Sequence, residues 1–215
     1  MASTFNAFGG RSINFGGHTP IWLGVVSPRA KGGVLASAYA KAGNLIPAGT
    51  PVKLEAGVIT PLVGWVVVSV ETSTHAITVT PSVKGIVPAV NDVVTPVGAT
   101  FTTTGAAGKV ASVAKGANEG QFVITMTTSA LDASQAGVLL APSSNSAAAA
   151  SGASLAVVPN GYLYNDILID AEEEASATGA VVDFHGEGIL IDRTPAAKVA
   201  AQMKAVVPNV IQVND

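Results

Sequence analysis

The sequence has no cysteine, so neither a disulfide nor thiolate chemistry is open to it. Charge is scarce: Asp, Glu, Lys and Arg make up 12% of the residues, about half the ordinary share. Lysines such as Lys41, Lys53, Lys84, Lys109 and Lys115 are isolated, and no basic run exists for nucleic acid or for a lipid surface. With a formal net charge of −3, neither nucleic acid nor a membrane is expected as a partner. Long apolar runs are missing too. A spanning helix needs about 20 consecutive apolar residues, and the best stretch, Leu62 to Val70, is shorter and contains Gly64. Met1 to Phe15 lacks a basic region followed by an apolar block, so no secretory signal is expected.

What is present runs against these absences. Hydrophobic residues make up 48% of the chain and the mean hydropathy is +0.47. The apolar character comes from Ala and Val mixed with Gly, Ser and Thr. A monomer of this kind would have few charges to keep it soluble. The composition therefore suggests a chain that hides surface against other protein chains, set beside the plainer reading of an ordinary soluble β-domain.

The first segment, residues 1–33, reads as an extended arm. Phe8-Gly9-Gly10 recurs as Phe15-Gly16-Gly17, and three of the six phenylalanines (Phe5, Phe8, Phe15) fall in the first fifteen residues. Aromatics spaced along a glycine-rich strand suit docking into pockets on a neighbour. Phe5, Phe8, Arg11 and Phe15 are the candidate docking residues. The plain alternative is a terminus whose phenylalanines matter little.

Residues 34–141 read as a β-barrel or sandwich. Val34–Tyr39, Pro51–Glu55, Val63–Val70, Ala76–Thr80, Asp92–Thr95, Thr100–Thr104, Lys109–Val113 and Gln121–Thr127 are strand candidates separated by turn residues. Prolines stand at strand ends (Pro47, Pro51, Pro61, Pro81, Pro88, Pro96), where a missing N–H costs the ladder least. Residues 142–154 form an Ala/Ser tract that reads as a linker. Residues 155–215 read as a small α/β unit. Thr178–Phe184 and Gly188–Ile191 resemble a hairpin around Gly186. Thr194-Pro195 opens a helix with one apolar face from Ala196 to Val207, and Val210–Val213 closes the unit as a strand. The expected fold class is mainly β, with an N-terminal arm and a small C-terminal α/β unit.

A search for chemistry finds little. Asp183, His185 and Glu187 alternate along a strand and could face a divalent ion together, but two glycines break the strand and no second histidine is near. His18, His75 and His185 are the histidines, and no Gly-x-Ser-x-Gly elbow or phosphate loop accompanies them. The acidic run Asp170 to Glu174 reads as a solvated patch rather than a pair of glycosidase carboxylates. No catalytic residue, metal site or cofactor is expected, and the chain reads as a non-enzyme. Trp22, Trp65, Tyr39, Tyr162 and Tyr164 keep open a second reading, a carbohydrate- or surface-binding adhesion module. Trp65, set among valines, is expected in the core.

One stretch resembles a known group. In Leu45-Ile46-Pro47-Ala48-Gly49-Thr50-Pro51-Val52 an apolar pair leads to proline, a tight Ala-Gly turn, and re-entry into a strand. Within the stretch Lys41 to Val52, the Ile46–Val52 edge is similar to the start of small β-barrels in head decoration and head fiber proteins of tailed bacteriophages, where such segments precede strands that end near an Asn-Asp-Val-Val turn, as at Asn91 to Val94. Gly186 to Pro195, followed by a short helix and Val207-Pro208-Asn209-Val210, resembles capsid-associated proteins of the same type. The likenesses extend over about half the chain, through turns of a kind common to β folds. The extra C-terminal unit and the Ala/Ser tract fit a longer head fiber or auxiliary capsid protein better than a compact decoration protein. The resemblance implies a structural virion protein on the capsid surface. Its partners would be the major capsid protein and its own copies, as a trimer.

Overall fold

The computed structural model describes residues 4–6, 12–14, 22–25, 30–83, 85–98, 101, 108–127, 136–144, 154–169, 177–183, 188–192 and 210–214. Among them the protein is β throughout. Two closed barrels dominate, and one is inserted into the chain of the other.

The interrupted barrel begins with β4 (Ala30–Leu35), β6 (Pro51–Glu55) and β7 (Val58–Pro61). Much later the chain returns with β14 (Gly161–Leu163) and β16 (Thr178–Asp183), and the strands close in the order β14-β16-β4-β7-β6. All pairings are antiparallel except β4 with β7, where Val34 and Leu35 meet Val58 and Ile59. Between β6 and β7 lies a two-residue turn with positive φ at both Ala56 (50°) and Gly57 (78°), the type I′ geometry that matches strand twist. Ile46, Val52, Ile59, Leu163 and Val181 fill the interior. A short pair, β5 (Leu45–Ile46) with β15 (Ile167–Leu168), contributes Ile46 and Ile167 to this core.

The inserted barrel is built from β8 (Trp65–Glu71), β9 (Ala76–Pro81), β10 (Val93–Pro96), β11 (Gly108–Lys115), β12 (Phe122–Met126) and β13 (Leu139–Pro142). They close in the order β10-β11-β12-β9-β8-β13. Strands β10, β11 and β12 pair in succession and β13 returns beside β10, which is a Greek-key connection. Along β9, Ile77 and Val79 point inward and alternate with half-buried residues, as one-sided burial requires. Trp65, Val67, Val110, Ile124 and Leu140 complete the interior.

A third apolar cluster joins the barrels. Val66 and Leu139 come from the inserted barrel, Tyr162 and Val182 from the interrupted one, and Leu62, Val97, Phe101, Ala141 and Leu155 pack with them. Parts of four strands are thus buried on both faces: the start of β8 and most of β13 on one side, β14 and the Val181-Val182 step of β16 on the other. That is why Trp65-Val66-Val67, Leu139-Leu140-Ala141, Tyr162-Leu163 and Val181-Val182 are unbroken apolar runs. At the crossing point, a Cβ on Gly64 would lie 2.0 Å from the Leu140 carbonyl oxygen, so only glycine fits. Gly64 is also bonded twice to Ser82, its N–H donating to Oγ (3.0 Å) and its carbonyl accepting from the Ser82 N–H (2.9 Å).

Outside the barrels, β1 (Thr4–Asn6) pairs with β2 (Ser12–Asn14). A three-stranded sheet has the order β18-β17-β3, from β3 (Trp22–Val25), β17 (Gly188–Asp192) and β18 (Val210–Asn214). Here β17 runs parallel to β18 and antiparallel to β3. A parallel pair needs a crossover connection. The helix expected across that connection, residues 195–207, lies outside the described residues.

Several expectations are corrected. The boundaries 34–141 and 155–215 do not separate the barrels, because β14 and β16 close a barrel begun by β4, β6 and β7. The arm expected over residues 1–33 takes part in three sheets: β1 pairs with β2, Trp22–Val25 pairs with β17, and Ala30–Gly33 lies in β4. Glycine at position 33 reflects crowding there, since a Cβ would come within 2.8 Å of Leu54 Cδ1 and the Gly57 oxygen. The expected hairpin around Gly186 does not form: β16 pairs with β14 and β4, and β17 with β18 and β3. The Ala/Ser tract leaves and rejoins at a stitched base. Ser143 bridges Leu155, the Ser144 N–H donates to the Ser154 oxygen (2.8 Å), and the Ala156 N–H donates to the Pro142 oxygen (2.9 Å). The chain therefore returns beside its point of departure.

Candidate interaction surfaces

The strand–turn–strand edge at Leu45–Val52 has the local structure its residues imply. The Thr50 N–H donates back to the Pro47 oxygen (3.2 Å), and Gly49 has φ of 79°, the type II signature. Thr50 Oγ1 donates to the same oxygen at 2.6 Å, satisfying a hydroxyl that is nearly buried. Asp166 accepts from the Ala48 N–H at 2.7 Å, and the Gly49 N–H donates to the Leu163 oxygen at 2.7 Å. The turn is thereby clamped to β14 and to the segment that leads into β15. The Asn91–Val94 turn is closed by its own aspartate, whose Oδ2 accepts from the Ala89 N–H at 2.7 Å.

On the outside of the interrupted barrel, β16, β4 and β7 present Thr178 and Ala180, Gly32 and Val34, and Val58 and Thr60. Thr178 is opposite Val34, and Val34 is opposite Val58, with the two valines 42% and 43% exposed. Among the described residues this face carries no charge. Its border on β6 is the Lys53–Glu55 ion pair (2.7 Å), whose hydrogen bond and charge hold the exposed Glu55 carboxyl below its usual range. Leu168, Val87, Val90 and Val158 are exposed elsewhere.

The expected docking residues fall differently. Phe5 lies in β1 at the register position opposite Ile13. Phe8, Arg11 and Phe15 lie outside the described residues. Of the aromatics that kept the sugar-binding reading open, Trp65 is in the core as expected, its Nε1 donating to the Ile86 oxygen at 3.3 Å. Tyr162 is buried in the cluster between the barrels, and burial pushes its phenol far above the ordinary range. Tyr39 is half-buried and its phenol is raised for the same reason. Tyr164 is exposed, but a single ring makes no stacking platform.

His75 sits in the β8–β9 turn with φ of 55°. His18, His185 and Glu187 lie outside the described residues, as does the side chain of Asp183. Among the described residues no three His, Asp or Glu side chains gather as a metal site would require, and no helix is long and apolar enough to cross a membrane.

Sequence reasoning missed two positions that hold the edge in place. Asp166 clamps the turn, and Asn160 brackets the Leu54 backbone, with Oδ1 accepting from N–H at 2.8 Å and Nδ2 donating to the oxygen at 3.0 Å. Neither belongs to a recognisable motif. The only local sign is a short polar residue beside a strand end, where side-chain-to-backbone bonding is favoured. No family model matches this chain, and no curated protein or solved structure matches it.

Proposed function

We propose that this protein is a non-enzymatic structural component of a virus particle. It binds the outside of a tailed-phage capsid as a head fiber or decoration protein, and does so as a trimer. The observation that carries the reading is the Ile46–Val52 edge, whose likeness to head decoration and head fiber proteins coincides here with a clamped strand–turn–strand unit. Scarce charge and the uncharged outer face of β16, β4 and β7 add support. In an obligate assembly such a face is covered by neighbouring chains, and buried apolar area contributes about 25 cal/mol per Å². The N-terminal residues Phe5, Phe8, Arg11 and Phe15 dock on the major capsid protein.

Deletion of residues 1–17 tests the reading, because it removes β1 and β2 and leaves both barrels intact. The truncated protein is expected to keep its β spectrum and to stop co-sedimenting with capsids. Unchanged capsid binding rejects the docking role, and a monomeric mass in solution and on capsids rejects the trimer.

A further inference from the structure

The β6–β14 seam is where the interrupted barrel closes, and its ladder is short. It consists of Gly161 opposite Val52 and Tyr162 opposite Pro51, and a proline has no N–H to give. Asn160 lengthens the seam. Its N–H donates to the Val52 oxygen (2.9 Å), and its carboxamide takes both backbone groups of Leu54. The residue after it is glycine, and no other Asn-Gly step occurs in the chain. Without a Cβ to hinder it, a following glycine leaves its amide nitrogen the freest of any residue to reach the asparagine carboxamide.

The geometry points to Asn160-Gly161 as a site of spontaneous deamidation, held off only while this seam is closed. In the reaction the Gly161 nitrogen attacks Asn160 Cγ. An N–Cγ bond forms, the Cγ–Nδ2 bond breaks, and ammonia leaves with the proton from the Gly161 amide. Water then opens the cyclic imide, its hydroxyl going to a carbonyl carbon and its proton to the nitrogen, to give aspartate or isoaspartate. Water is the only co-reactant.

The closed barrel opposes the first step twice. The carboxamide is pinned on both sides by Leu54, and Gly161 is buried in register with both Val52 and Asp183. Once formed, the product opposes closure. Aspartate presents an acceptor where Nδ2 donated to the Leu54 oxygen, so two acceptors face each other. Isoaspartate lengthens the main chain by one carbon and shifts β14 against its partners. The step therefore records, irreversibly, the accumulated time this seam spends open.

The test incubates the full-length protein in mildly alkaline buffer with and without denaturant. Peptide mass analysis follows the amide-to-acid change at Asn160, and isoelectric focusing follows the added negative charge. Deamidation at Asn160 is expected to be at least about tenfold slower in the folded chain, as local protection dictates. The variant Asn160→Asp is expected to melt at a lower temperature than the wild type. Equal rates in the folded and unfolded chain overturn the proposal, as does an Asn160→Asp protein that melts with the wild type. Should that variant not fold, the rate ratio on the wild-type chain still decides. The result is independent of capsid binding.

Discussion

The six-stranded barrel comes from one stretch of chain, Trp65 to Pro142, whereas the five-stranded barrel takes three strands from before that stretch and two from after it. In the first, three of the six pairings join consecutive strands. Its longest ladders, β8 with β9 and β11 with β12, are local hairpins. The second closes through distant pairings, such as Val34 with Thr178 and Val52 with Gly161, which bear the full entropy of a long loop. That entropy is offset by side-chain clamps at the ladder ends, from Asn160 and Asp166, and by the apolar cluster shared with the inserted barrel. The difference suggests that the inserted barrel provides the wall on which the interrupted one is completed.

The sharpest way to break the pair is at their crossing. Gly64→Ala places a Cβ against the Leu140 carbonyl, and both barrels have to move. Its cost is expected to exceed about 4 kcal/mol, the range reserved for severe core disruption, and to appear in thermal or denaturant unfolding. If the two barrels unfold as one unit, Tyr162→Ala in the shared cluster should cost about 3–4 kcal/mol and leave a single transition. The separation of calorimetric from van't Hoff enthalpy in that variant would show the barrels to be independent.

A pH experiment tests the same cluster. Burial raises the Tyr162 phenol above its unfolded value of about 10, so its contribution is complete below that pH and is lost as pH rises beyond it. Stability should fall by up to about 1.4 kcal/mol per pH unit in that alkaline window, and Tyr162→Phe should flatten the fall. The smallest expected effect lies in the β6–β7 turn. Ala56 holds φ of 50°, which asparagine tolerates better. Ala56→Asn should stabilise by about 0.5–1 kcal/mol, read as a rise in the denaturation midpoint.

The two barrels also differ in how far the sequence discloses them. In the inserted barrel, Ile77 and Val79 alternate with threonines, and the expected strand over Ala76–Thr80 matches β9 within a residue. Pro51–Glu55 is found as expected, and Pro51, Pro61, Pro81 and Pro96 all stand at strand ends. Leu139–Pro142 escaped notice because both of its faces are buried, which erases alternation. Val58–Pro61 escaped because it is short and follows a turn. The hairpin expected around Gly186 was wrong for a deeper reason: adjacency in sequence favours local pairing, while β16 is claimed by β4 from the far end of the chain. Among the candidate surfaces, the composition of the Leu45–Val52 turn was legible. The clamps on it were not, because Asn160 and Asp166 act across more than a hundred positions of intervening chain.

The insertion has a consequence during synthesis. On a ribosome adding about 5–20 residues per second, the roughly 100 residues between Pro61 and Gly161 take on the order of 5–20 s to appear. Through that interval β4, β6 and β7 wait beside the exit tunnel with open flanks, which can pair with any passing strand. Slower translation through the inserted barrel lengthens the exposure, so codon usage in that stretch bears directly on how much protein escapes aggregation.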